Sequence, residues 1–279
     1  MLFRSYVQRR EEAMARQGDL IKCDDPFDYG LDCLAGADPR DGDPLVTLRR
    51  YAQDCLAQSD AFFEPEPALD YRLSGDCLTF SSPITTESAV NNIVSCRLFE
   101  TPQKQRTCAV VILPHWNALP ADYCGFGRWL LRLGITALRV SLPYHDARRP
   151  PTMRFAQYLV GPNLGRTIRS FRQAILDTRL AIQWLHDRGY TQIGVIGTSL
   201  GSSIGSIVAA KDARVTALAC LMTASLVGEV VWRPLHLRHV PVQCLGLLIR
   251  RSFSAPESLN RHRGASRFYG TGIAERPRW

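Results

Sequence analysis

Long apolar runs are missing from this 279-residue chain: the longest, such as residues 109–113, fall far below the ~20 residues a membrane helix needs. The opening MLFRSYVQRR lacks the apolar centre of a signal peptide, so the expectation is a cytoplasmic, soluble protein without a membrane span. Metal-ligand spacing is missing as well. The nine cysteines form no C-x-x-C pair and no Cys/His cluster at zinc spacing, and they read as mostly reduced, small apolar side chains. There is no G-x-x-x-x-G-K-[ST] and no clean G-x-G-x-x-G followed by an acid, so neither a metal nor an organic cofactor is expected.

What is present is ordinary globular material. With 46% hydrophobic and 22% charged residues, the chain fits one large α/β domain with extensions rather than a disordered or fibrous protein. Its net charge of +8 invites a nucleic-acid reading until the charge is located. Residues 233–279 carry nine Arg, no Lys and two acids (Glu257 and Glu275), which leaves residues 1–232 at +1. That tail lacks the aromatic interleaving of a nucleic-acid reader, so no nucleic-acid partner is expected and solvated disorder fits it better. Residues 19–70 hold thirteen acids against four bases, either a solvated face or a weak partner for the tail.

Three regions follow: an N-terminal helical and irregular extension (1–76), a core (77–232), and a basic, poorly patterned tail (233–279). Residues 1–17 read as a polar helix, and Asp43-Pro44 as an N-cap with proline at the first position of a helix running to about Leu56. Strands are expected over 77–81 and 93–99 as an antiparallel entry. From residue 107 strand and helix alternate: strands at 107–113, 135–142, 192–196 and 215–222, with helices at 122–133, 167–188 and 202–211. That rhythm predicts a mostly parallel sheet covered on both faces. Beyond Trp232 only 244–249 looks like a strand. Trp129 and Trp184 are expected in the helix–sheet core.

Gly197-Thr198-Ser199-Leu200-Gly201 is a G-x-S-x-G between an expected strand and an expected helix, the context that makes the pentapeptide informative. A strand-to-helix reversal this tight strains the serine, and the flanking glycines remove side chains that would collide with neighbouring elements. Ser199 is then a nucleophile presented at the carboxyl end of the sheet, with the Leu200 N–H as one oxyanion donor. The loop after residues 107–113 should supply the other, from His115 or Trp116. The long connection 143–165 borders such a site and offers His145, Asp146 and Arg148 as candidate pocket residues. There His145-Asp146 would bond locally or line the pocket, and Arg148 and Arg149 would either orient an acidic substrate or belong to a loop that is solvated or paired with Asp146. Trp116 is a candidate for pocket contact.

The stretches LPHWNA (113–118), SLPYHDARRP (141–150), IGTSLGSSIGS (196–206) and CLMTASLVGEVVW (220–232) resemble the α/β-hydrolases, specifically the group around alpha/beta-hydrolase domain-containing protein 18 and its bacterial relatives. The resemblance spans about residues 77–232. It implies a doubly wound α/β-hydrolase sheet and a serine esterase acting on a carboxylic ester or related acyl bond of a small molecule, with Ser, Asp/Glu and His in that order. The last two members are not identifiable here. His236, His239 and His262 are the histidines after Ser199, and none stands at the end of a readable strand; Glu229, Glu257 and Glu275 are the acids near the end. The shift to an Arg-rich, acid-poor composition after Trp232 reads as a frameshifted or truncated ending, with the last strand–helix units lacking. A non-catalytic α/β-hydrolase-like protein is the alternative.

Overall fold

The computed structural model describes residues 25–38, 40, 42–100 and 107–223. The helix expected over 1–17, the strand at 244–249 and the basic tail lie outside these residues. Among the described residues, seven strands form one sheet in the order β1-β2-β3-β5-β4-β6-β7. They are β1 Arg72–Ser74, β2 Cys77–Ser81, β3 Ile93–Phe99, β4 Cys108–Leu113, β5 Thr136–Val140, β6 Gln192–Thr198 and β7 Val215–Leu221. The pairs β1–β2, β2–β3 and β3–β5 are antiparallel, whereas β5–β4, β4–β6 and β6–β7 are parallel. Because β2 runs with β5, only β1 and β3 oppose the common direction.

Among the described residues, four helices of two turns or more accompany the sheet: α1 Pro44–Ala57, α2 Cys124–Arg132, α3 Leu164–Asp187 and α4 Leu200–Lys211. At the start of α1, Asp43 accepts the Leu45 N–H at 2.9 Å with Pro44 in the first turn, as the sequence predicts. Helix α3 begins three residues before its expected start. The Asn163 side chain accepts the Arg166 N–H at 2.8 Å, and Gly165 lies so close to the Gly30 carbonyl that no side chain fits.

Alternation along β4 assigns the two faces. Ala109, Val111 and Leu113 pack with Ala174, Ile175 and Leu185 of α3 and Ile204 and Val208 of α4. Val110 and Ile112 turn the other way, to Phe99, Ala137 and Leu130 of α2. Helices therefore cover both faces of a mostly parallel sheet, the doubly wound arrangement of the α/β-hydrolase type.

Two expectations need correction. Trp184 is core, but Trp129 is 50% exposed and stacks on Phe126 at 5.6 Å, because it lies on the outward side of α2. The stretch before Cys77 also contains β1, which pairs with β2 from Arg72 to Ser74; three exposed residues with no burial alternation leave no readable pattern.

The chain crosses β4 in both directions, moving to β5 on one side and then back to β6 on the other. In open α/β sheets such a reversal marks the place, at the carboxyl ends of the central strands, where ligands bind. Leu113 and Gly197 are register partners there, so the loop leaving β4 and the turn leaving β6 emerge side by side.

Candidate active site

Ser199 sits on the turn between β6 and α4 with φ 52° and ψ −115°, a conformation a non-glycine residue keeps only when its surroundings enforce it. Several contacts do so. The Ser199 N–H donates to the Leu221 carbonyl at 2.8 Å, tying the turn to the end of β7. Ser202, fully buried one turn into α4, places its hydroxyl 2.7 Å from the Gly197 carbonyl and accepts the Leu221 N–H at 3.1 Å.

The glycines act through space rather than through a positive φ. A Cβ on Gly197 would stand 2.6 Å from the Ser202 Cα, and one on Gly201 would stand 2.7 Å from the Pro114 carbonyl oxygen. The first keeps α4 folded back over its own strand. The second lets the start of α4 touch the loop leaving β4. Among the described residues the Ser199 hydroxyl has no hydrogen-bond partner, and it stands at the N-terminus of a twelve-residue helix whose first N–H groups lack intrahelical acceptors.

The opposing loop is a turn closed by the Ala118 N–H on the His115 carbonyl at 3.3 Å. Its amides have different fates. The His115 N–H points to the Tyr123 hydroxyl at 3.4 Å, and the His115 Nδ1 lies 2.7 Å from the same oxygen. The Asn117 N–H donates to His145 Nε2 at 2.8 Å. The Trp116 N–H, between them, has no acceptor among the described residues. The Trp116 indole donates to the Ala156 carbonyl at 3.0 Å, and its ring meets Phe155 edge-on at 6.2 Å.

His145, Asp146 and Arg148 follow β5, close to that loop. His145 is almost wholly buried, and this burial depresses its pKa to about 4, a shift that the Pro143 carbonyl and Asp146 oppose and that Arg139 and Arg148 reinforce. It is therefore neutral at physiological pH. Asp146 is half-buried, with its carboxylate turned inward, and accepts from Arg139 and from the Ser141 hydroxyl, both at 2.6 Å. Arg148 is fully enclosed: it donates to the carbonyls of Asn91 and Ser141 and pairs with Asp177 at 2.8 Å. Its guanidinium is committed to protein groups, so neither an exposed Arg148 nor an Arg148–Asp146 pair is found.

Around Arg148 lies a polar network the sequence reading omitted. Asp177 on α3 accepts the Ser82 hydroxyl at 2.7 Å; Asn91 donates to Gln173 at 2.9 Å and accepts the Tyr144 N–H at 2.9 Å. Burial pushes the Asp177 carboxyl up, against the pull of Arg148. A polar residue on the apolar stripe of a predicted helix, as Gln173 and Asp177 are, was the available signal.

Of the described histidines, His145 has both ring nitrogens engaged, His115 is bonded to Tyr123, and His186 is exposed near the end of α3. His236, His239, His262, Glu229, Glu257 and Glu275 lie outside the described residues. No group of three or more His, Cys, Asp or Glu side chains able to hold a metal ion occurs among the described residues, and no described helix is long and apolar enough to cross a membrane.

No family model matches the chain, and no curated protein does. Among solved structures, acetyl xylan esterase 1 from Thermoanaerobacterium sp. is 14% identical over 80% of this chain and 78% of its own, with a TM-score of 0.43. The α/β hydrolase GrgF from Penicillium sp. is 20% identical over 53% and 45%, with a TM-score of 0.38. Est1E from Butyrivibrio proteoclasticus, solved with ferulic acid, is 14% identical over 50% and 52%, also at 0.38. The present chain spans about half the length of the latter two. The assignment of an α/β-hydrolase type of sheet rests on this chain's own strand order, strand directions and two-sided helix cover.

Proposed function

We propose that this protein is a serine hydrolase of carboxylic esters or related acyl bonds in small molecules. The observation that carries this reading is the Ser199 hydroxyl, without a partner among the described residues, held at φ 52° on a strand-to-helix turn beside a loop whose Trp116 N–H has no acceptor among them either. In the proposed reaction Ser199 Oγ attacks the acyl carbonyl, and the negative charge that develops on the carbonyl oxygen is received by the N–H groups of Leu200 and Trp116. Trp116 is preferred to His115 because the His115 N–H is directed at Tyr123. The reaction also requires a histidine oriented by a carboxylate to take the serine proton and return it to the leaving group, and no described side chain fills either place. Kinship with the group around alpha/beta-hydrolase domain-containing protein 18 belongs to the same reading, supported by the LPYHDARRP stretch, whose His145 and Asp146 bond within the site. So does a cytoplasmic location, supported by the free thiols of all seven described cysteines.

One observation favours a non-catalytic protein of the same fold: no described side chain approaches Ser199 as a base. Active-serine labelling separates the two. A fluorophosphonate should label the wild-type chain at Ser199, mapped by peptide mass, and Ser199→Ala should abolish labelling and lower ester hydrolysis by about 10⁴-fold or more. Unlabelled, folded wild type supports the non-catalytic reading, and labelling that survives Ser199→Ala refutes Ser199 as the nucleophile.

A further inference from the structure

The tip of the loop after β5 grips the loop after β4 at two places. At the far end, Asp146 pairs with Arg139, which donates to the carbonyls of Asp122 and Leu119 at 2.9 and 3.0 Å. In the middle, His145 Nε2 takes the Asn117 N–H, while its Nδ1 lies 2.9 Å from the Pro143 carbonyl. A carbonyl oxygen can only accept, so Nδ1 carries the ring proton and Nε2 is the acceptor. Both nitrogens are thereby spent within the protein, and the imidazole is unable to serve as a proton shuttle.

The grip acts on a strained residue. Asn117 holds φ 60°, and its side-chain oxygen accepts the Ala156 N–H at 2.8 Å while Trp116 donates to the Ala156 carbonyl. Among the described residues, consecutive amides along this turn therefore go to Tyr123, to no acceptor, and to His145. We infer that His145 is a positioning residue for acyl transfer at Ser199: by accepting the Asn117 N–H it keeps the 115–118 turn in the conformation that leaves the Trp116 N–H free for the oxyanion. This rests on the serine-hydrolase reading above and adds a role to it.

Two substitutions separate positioning from bulk stability. His145→Gln and His145→Leu both lose the bond to Pro143 and the imidazole packing, but the Gln amide oxygen can occupy the place of Nε2 and accept from Asn117. A purely structural role would affect both alike. With a fluorophosphonate as the probe, His145→Leu should slow the maximal rate of Ser199 labelling by about 10²-fold with the probe's apparent affinity within about threefold. His145→Gln should recover to within about fivefold of wild type. Equal rates for Leu and wild type, or equal losses for Gln and Leu, would overturn the inference.

A wild-type measurement stands beside these should the Leu variant not fold. Imidazole ¹⁵N NMR at neutral pH should show His145 protonated at Nδ1 and coupled through Nε2 to the Asn117 amide; a proton on Nε2 would overturn the inference without any variant. Wild type that takes no probe at Ser199 defeats the hydrolase reading itself, and this role with it. Labelled wild type with an unaffected Leu variant defeats only the role of His145.

Discussion

At Gly201 the absence of a side chain decides whether two loops can meet. An alanine Cβ there would collide with the backbone of Leu113 and Pro114, and that backbone is fixed by β4 on one side. Gly201→Ala should cost about 3 kcal/mol in denaturant unfolding, at the upper end of overpacking. Gly125 in α2 has open space around it, so Gly125→Ala should instead stabilise by about 0.5 kcal/mol. Similar losses from both would refute the steric account. His145 supplies a titration at the same scale. Its pKa is about 4 in the folded chain against 6.5 ordinarily: burial drives the shift, the Pro143 carbonyl and Asp146 oppose it, and Arg139 and Arg148 add to it. Above pH 6.5 the ring is neutral in both states. As pH falls from there towards 4, the unfolded chain takes up a proton that the folded chain refuses, so stability drops, and the loss levels off below about 4. Between pH 7.5 and 4.5 this amounts to about 2–3 kcal/mol, and His145→Gln should remove that part of the pH dependence, measured by denaturant midpoints at the two pH values. Ser199 and its glycines were legible because a strand-to-helix reversal leaves a five-residue signature. The role of His145 was not, since its partner Asn117 lies 28 residues away and nothing in the spacing connects them.

At the scale of elements, the strands of the core were readable because burial sets their composition. Ile93–Phe99 and Cys77–Ser81 have the bounds expected, and the buried runs of β4 and β5 differ from expectation by one or two residues at their ends. Polar pairings between elements leave no such trace. Arg148 after β5, Asn91 before β3 and Asp177 on α3 come from three separated segments, and even where the helical stripe marks Asp177 as buried, nothing in the spacing names its partners. Together they fasten α3 across the sheet. Arg148→Met should cost about 3–5 kcal/mol, because it leaves the Asp177 carboxylate and two backbone carbonyls without their donor. Adding Asp177→Leu should recover a large part of that loss, since a buried ion pair replaced on both sides by apolar groups is often near neutral. Equilibrium unfolding of the two variants measures both; a double variant less stable than Arg148→Met would show that the pair contributes net stability.

At the scale of the whole molecule, the division at residue 77 separates segments that share one core. Phe63, Ala68 and Tyr71 pack against the main cluster, and Leu31, Leu34 and Leu48 form a second one with Leu164 of α3. Backbone carbonyls make the join: Arg172 donates to Phe62 at 2.8 Å, Arg179 donates to Phe63, and the Tyr71 hydroxyl donates to Leu180 at 2.9 Å. Carbonyls carry no residue identity, so these contacts were invisible in a segment with little helical or strand periodicity. Part of the acidic surplus of residues 19–70 is also used here, through Asp60 with Lys211 and Glu64 with Arg179. These two pairs involve largely exposed carboxylates, and exposed pairs contribute about 0–1 kcal/mol and are screened by salt. If docking rested on charge, 1 M salt would release the segment. Apolar packing and part-buried side-chain bonds to backbone carbonyls predict the opposite: proteolytic cleavage within residues 58–70 should be as slow at 1 M salt as at 50 mM, and should track global unfolding in denaturant. A chain beginning at residue 72 should then lose several kcal/mol, or fail to fold, because α3 would present an uncovered apolar side. Rapid cleavage with the sheet intact, or cleavage accelerated by salt, would instead make this region a separable extension held by its charges.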